Sequence, residues 1–202
     1  MTVDEQQLRN LLRKGFTALT EGKIALASQC CQQALSIKPD LPQAHFLVGL
    51  TALEAKDRQT AFQAFGSVTK LDPRHAAAWS QLARLFMSEG QVLRADAALT
   101  QAVAAKSDDP MVHDLIGTVY SLMGEYGLAK TCFKTAVDFK PQHPPYLLNL
   151  ANNYVYHGDN DEAGKLFHKI VDIQANSPQA HWALSGANKA RDTQHMKRHS
   201  VM

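Results

Sequence analysis

Apolar residues recur along this chain at helical spacing, in stretches separated by short polar turns. Ala129, Phe133 and Ala136 fall at i, i+4 and i+7, one face of a helix, and Gly124 and Pro141 bound the stretch. The phrase returns at a fixed interval: Ala27, Ala61, Ala95, Ala129 and Ala163 lie 34 residues apart with no insertion or deletion. A period of this size signals stacked supersecondary units. The units are 8–41, 42–75, 76–109, 110–143 and 144–177, and positions within each are numbered here as places from one. The pattern predicts helix pairs over 5–20 and 24–37, 42–56 and 58–71, 76–88 and 92–106, 110–123 and 126–140, and 144–157 and 160–174. A terminal, capping helix over 178–191 and a tail over 192–202 follow.

Start and stop signals agree with this division. Asp4-x-x-Gln7 and Asp159-x-x-Glu162 have the form of capping boxes. Asp109 before Pro110 and Ser177 before Pro178 supply N-caps. Proline at the first helical position is favourable, because its missing N–H would be unpaired there anyway. Gly22, Gly90, Gly124 and Gly158 break the hairpins, and Lys56 stands where unit two should have its glycine.

The periodic residues have packing roles. Place 8 holds Gly15, Gly49, Ala83, Gly117 and Ala151, and place 20 holds the five alanines. Small residues at both let the helices of a hairpin approach closely. Cys31, Phe65, Leu99, Phe133 and Phe167 at place 24 fill the space beside them. Ala34, Val68, Ala102, Ala136 and Ile170 at place 27 are expected to pack against the next unit. Place 11 holds Phe86, Tyr120 and Tyr154 but only Ala18 and Ala52 early in the chain, so the core should be thinner there.

Together these places resemble the tetratricopeptide repeat: small at 8, aromatic at 11, Ala at 20, aromatic at 24, Ala at 27, Pro at 32. The resemblance covers about residues 8–191 and implies an all-α, right-handed superhelical solenoid of five helix-turn-helix repeats plus a C-terminal helix, as one array over 1–202. Place 4 is Trp only at Trp79; Leu11, His45, His113 and Leu147 replace it. Place 32 is Pro39, Pro73 and Pro141, but Ser107 and Ala175 in units three and five, where a continuous or slightly rotated helix end is expected.

Composition narrows the function. Hydrophobic residues make up 45% of the 202, enough for a core, and the net charge of +2 gives no footprint for nucleic acid or an anionic membrane. No apolar run reaches the length of a membrane span, and the N-terminus lacks the pattern of a signal peptide. Three cysteines, Cys30, Cys31 and Cys132, do not form a disulfide framework and read as buried thiols in a reducing, cytoplasmic setting. His45, His75, His113, His143 and His181 recur with the repeat and read as structural. His195 and His199 have the i,i+4 spacing of a metal pair but no further ligand nearby, so no metal or other cofactor is expected. Asp108, Asp109, Asp159 and Asp161 sit at junctions and turns. No nucleophile elbow or phosphate loop occurs, so these residues read as non-enzymatic.

A binding surface remains. The resemblance implies that the first helix of each unit lines a concave groove through places 2, 5, 9 and 12. Phe16, Phe46, Leu50, Ser80, Arg84, Asp114, Thr118, Asn149, Asn152 and Trp182 are the candidate contacts for a peptide or protein partner. Arg84 would pair an acidic side chain; Asn149 and Asn152 would hydrogen-bond peptide backbone. Phe16, Phe46 and Leu50 make the N-terminal end apolar, either as inter-unit core or as a pocket or homodimer surface. Relatives that grip a C-terminal carboxylate use Lys, Asn, Asn, Lys and Arg where this chain has Leu12, Phe16, Leu47, Ala77 and Gln81, so no binding of an acidic chaperone tail is expected. The segment Ala180–Leu184 with Lys189–Met196 is similar to the linker in bacterial tetratricopeptide-repeat sulfotransferases. It implies an alternative: a substrate-recruiting module of a longer sulfotransferase-type enzyme, with its catalytic domain beyond residue 202.

Overall fold

A computed structural model describes residues 3–175 and Pro178. Packing divides the chain into Met1–Lys106 and Ser107–Met202. The N-terminal part holds α1 (Val3–Thr20), α2 (Ile24–Ile37), α3 (Pro42–Glu54), α4 (Arg58–Leu71), α5 (Ala76–Ser88) and α6 (Val92–Ala104). α1 packs on α2, α3 on α4 and α5 on α6 as hairpins, while α2 on α3 and α4 on α5 join one hairpin to the next. The C-terminal part holds α7 (Pro110–Leu122), α8 (Tyr126–Phe139), α9 (Pro144–His157) and α10 (Asn160–Ile173), paired as α7–α8 and α9–α10, with α8 packed on α9. Each part is an all-α helical repeat, as the period predicts, with ends within two residues of the expected ones.

The ruler alanines Ala27, Ala61, Ala95, Ala129 and Ala163 are all fully buried. Place 8 does more than shorten the distance between axes. A Cβ built on Gly49 would lie 2.5 Å from the ring of Phe65, and one on Gly117 would lie 2.8 Å from the ring of Phe133. The glycine is the seat of the place-24 ring from the other helix of its hairpin. Burying such a ring contributes about 2–3 kcal/mol, and Phe65 is 0% exposed. In the C-terminal part Leu147, Ala151, Ala163, Phe167 and Ile170 form one core cluster, and Ala129, Phe133 and Leu150 another.

Every hairpin turn closes in one way. The N–H of place 16 donates to the carbonyl of place 11: Lys23 to Ala18, Asp57 to Ala52, Gln91 to Phe86, Glu125 to Tyr120 and Asp159 to Tyr154, at 2.8–2.9 Å. This is the Schellman closure, which needs a left-handed residue at place 15. Four glycines supply it, and Lys56 adopts φ 60° in the second unit. A side chain there costs about 1–2 kcal/mol.

Place 4 also has a job. His45 Nε2 lies 2.8 Å from the Pro39 carbonyl, and Trp79 Nε1 donates to the Pro73 carbonyl at 2.9 Å. A ring nitrogen at place 4 thus ties each of these first helices to the proline turn before it. His113 follows Ser107 instead of proline, and its ring stacks on Phe139.

Several expectations are corrected. The junction at Ser107 does not carry a continuous helix: α6 ends at Ala104, one place earlier than the other second helices, and Lys106 turns left-handed at φ 49°. Nor does the junction at Ala175, since Gln174 is already at φ −134°. Asp109 caps α7 through Met111 N–H at 2.9 Å, as expected, but Asp159 makes no cap bond. Its carboxylate turns instead to His157 Nδ1 at 3.1 Å and Lys130 Nζ at 3.9 Å. Val3 is already helical, so Asp4 lies inside the first turn of α1. Apart from Pro178, the terminal helix 178–191, the tail, and with them Ser177, His181, Trp182, His195 and His199 lie outside the described residues.

Candidate peptide-binding face

In the N-terminal part the groove candidates come from α1, α3 and α5. Phe16 is 36% exposed and Leu50 is half-buried. Phe46 is not a surface residue. It is 7% exposed, with its ring 5.5 Å from Phe65 and 4.8 Å from His75, because place 5 of α3 turns toward the second hairpin's own core. Ser80 is likewise withdrawn: it is 0% exposed and its hydroxyl donates to the Ala76 carbonyl at 2.9 Å. The apolar end expected from the sequence therefore loses its most buried member, and unit three offers Arg84 without Ser80.

Arg84 is half-buried on α5. Its Nε and Nη2 donate to Gln81 Oε1, at 3.2 Å and 2.9 Å. Gln81 is itself buried, so its amide oxygen fixes the guanidinium, and the remaining N–H groups have no hydrogen-bond partner among the described residues. Burial lowers the guanidinium below its ordinary range, and Glu54 acts electrostatically in the opposite sense. Glu54 does not reach ion-pair distance: among the described residues the pairs are Lys23–Glu21, Lys130–Asp159, His157–Asp159 and Lys165–Glu162.

In the C-terminal part α7 and α9 bring together two candidates far apart in sequence. Asn149 Nδ2 donates to both Asp114 carboxylate oxygens, at 2.8 Å and 3.1 Å. Burial raises the Asp114 carboxyl above the usual range; the Asn149 hydrogen bond and nearby His143 pull it back. The Asn149 amide N–H is thus engaged by a carboxylate of its own chain. The Thr118 hydroxyl is spent on the Asp114 main-chain carbonyl at 2.9 Å. Asn152, one turn beyond Asn149 on α9, is half-buried with no hydrogen bond to its side chain among the described residues.

Asn153 and Asp57, which sequence reasoning missed, and Gln81, Asn149, His75 and His143, which it named in other roles or as structural, explain this arrangement. Gln81 and Asn149 both stand at place 6, so one polar place recurs to hold a charge in each part. The His143 ring packs at a tilt against buried Tyr146, centroids 4.1 Å apart, and acts electrostatically on Asp114. Asn153 is buried and ties α9 to the start of α8 through the Tyr126 carbonyl at 3.1 Å. Asp57 caps α4 through Thr60 N–H, and His75 caps α5 through Ala78 N–H. The three cysteines are unpaired; burial pushes the Cys31 and Cys132 thiols up to about 11, away from thiolate chemistry. Among the described residues no three metal-ligating side chains are grouped, and no helix is long and apolar enough to cross a membrane.

Known proteins share this pattern. One family model of the tetratricopeptide repeat matches residues 8–41 and 112–143. A second, also described as tetratricopeptide repeat, matches residues 52–118. Superkiller protein 3 of Schizosaccharomyces pombe is 27% identical over 139 residues, which is 65% of this chain and 10% of that protein. The chain therefore spans about a tenth of this relative's length. Among solved structures, the Cut9–Hcn1 hetero-tetramer of the APC/C superposes with a TM-score of 0.78 at 18% identity, covering 91% of this chain and 37% of the other. The thermophilic repeat protein TTC0263 of Thermus thermophilus gives 0.75 at 21% identity, covering 89% and 98%. Pseudomonas aeruginosa PilF gives 0.73 at 16%, covering 95% and 89%. At these identities the structural likeness is one of fold.

Proposed function

The chain belongs to the tetratricopeptide repeat family, and from that premise we propose that the first-helix face of each part holds an extended segment of a partner protein. The family supports a protein-interaction scaffold. The observation that carries the finer reading is the state of the two charges. Arg84 and Asp114 are each half-buried, each is oriented by a neutral amide, and neither has an ion-pair partner among the described residues. Withdrawing a charge from water is unfavourable unless an opposite charge meets it. A partner carboxylate at Arg84 in the N-terminal part, and a partner cation at Asp114 in the C-terminal part, would supply what the fold leaves out. Asn152 would then take main-chain groups of the segment, with Phe16, Leu50 and Thr118 as flanking contacts.

This role is binding and not catalysis. Unpaired thiols support a reducing, cytoplasmic setting. With Phe46 in the core, the apolar end that offered a pocket or a homodimer surface is reduced to Phe16 and Leu50, and a protein partner of different sequence fits the polar face better. The test is calorimetric titration of a purified partner against the chain and against Arg84→Ala combined with Asn152→Ala. The double variant should bind at least roughly tenfold more weakly. Unchanged affinity would assign binding to the second-helix face.

A further inference from the structure

Lys56 breaks a rule that the other four hairpin turns obey. Its place holds Gly22, Gly90, Gly124 and Gly158 in the other units, at φ 71°, 70°, 83° and 91°, while Lys56 itself stands at φ 60°. A side chain in this region is strained, and such strain concentrates where a residue meets a ligand. Arg58 is misplaced in a second way. It opens α4, where the helix dipole disfavours a cation. Both residues line one cleft of about 450 Å³, together with Leu53, Glu54, Arg84 and Leu85. Two locally unfavourable cations and a half-buried guanidinium thus line the same cleft as one carboxylate, Glu54. Local rules broken together, without a packing gain, mark a functional position.

We propose that this cleft receives an acidic side chain of the partner segment. Its carboxylate sits on the end of the Arg84 guanidinium that Gln81 leaves open, with Lys56 and Arg58 at the rim. Leu53 and Leu85 take the apolar residues flanking the acid. This rests on the first-helix-face reading and adds the chemistry of one subsite. Among the described residues that line the cleft Glu54 is the only carboxylate against Lys56, Arg58 and Arg84, so the lining keeps an excess of positive charge for an anionic side chain to meet.

The test uses the full chain and a capped peptide, Ac-Leu-Glu-Leu-Glu-Leu-NH2, with the Gln-for-Glu peptide and inorganic phosphate as parallel arms. Capping leaves only side-chain carboxylates to be read. Amide resonances of Leu53–Arg58 and Arg84–Ser88 are followed by NMR. The Glu peptide should move them to saturation, and the Gln peptide should bind at least roughly tenfold more weakly. Lys56→Gly should weaken the Glu peptide roughly fivefold while raising the melting temperature by about 2–4 °C. Lys56→Asn tolerates the left-handed turn without the charge and should weaken it equally; Lys56→Arg should keep the affinity. Equal response to the Glu and Gln peptides, or unchanged affinity in Lys56→Gly, would overturn the proposal. Saturation by phosphate with no response to the Glu peptide would also overturn it, in favour of a phosphate site. If the peptide fails while Arg84→Ala with Asn152→Ala still loses the partner, the acid subsite falls and the first-helix face stands. If the peptide binds and the double variant keeps the partner, the opposite holds.

Discussion

Arg84 and Asp114 are the same device built in two ways. In each, a place-6 amide steers a half-buried charge. Gln81 and Arg84 are three residues apart on one helix, so the pair follows from helix geometry alone. Asn149 and Asp114 are 35 residues apart and meet only because α9 packs against α7. The first pair is therefore local and depends little on how hairpins stack. The second reports that stacking directly. A charge that must be placed by packing is more costly to disturb than one placed by its own helix.

The largest expected effect comes from the support under the local site. Gly49→Val drives a branched Cβ into the Phe65 ring and also lowers helix propensity. It should cost about 3 kcal/mol in urea unfolding and disorder the α3 end of the Arg84 cleft. Full stability in this variant would mean that the glycine does not seat the ring.

The comparison itself is tested by removing each amide. Asn149→Leu leaves Asp114 half-buried without a donor and should cost about 1 kcal/mol at neutral pH. Burial already raises the folded carboxyl, so stability from this group is present below the ordinary carboxylate range and lost as pH rises through the folded value. The Asn149 bond opposes that rise. Its loss should therefore hurt at neutral pH and vanish in acid, where the carboxyl is protonated in both states. Gln81→Leu should change stability by less than about 0.5 kcal/mol, because Arg84 keeps water on its open side. Equal costs for the two variants, measured by denaturant unfolding across pH, would erase the distinction between local and packed placement.

Much of the architecture was legible because one period carried it. The hairpins, the left-handed turns and the buried alanines all follow from small residues repeating on a 34-residue ruler. The histidines at His45 and His75 read correctly as structural, and the structure supplies the reason: His45 meets a proline carbonyl and His75 caps α5. The candidate site was less legible. The resemblance implies that place 5 faces the groove, yet Phe46 finds Phe65 and His75 close enough to be drawn into the core, and Ser80 satisfies its hydroxyl on its own helix. Spacing gives the direction of a side chain but not what waits there. Asn149 reads from the sequence as a partner for peptide backbone, because nothing there reveals that a carboxylate 35 residues earlier claims its amide N–H. The Asp159 box failed for a similar reason: His157 and Lys130 compete for the carboxylate that should have capped α10.

The central claim is that the first-helix face is where a partner lies. A photo-reactive phenylalanine analogue placed singly at Asn152 on α9, and separately at Lys134 on the exposed side of α8, tests it directly. Irradiation of each labelled chain with its purified partner, read by mass spectrometry, should give a partner adduct from position 152 and none from position 134. An adduct from position 134 with none from position 152 would contradict the account.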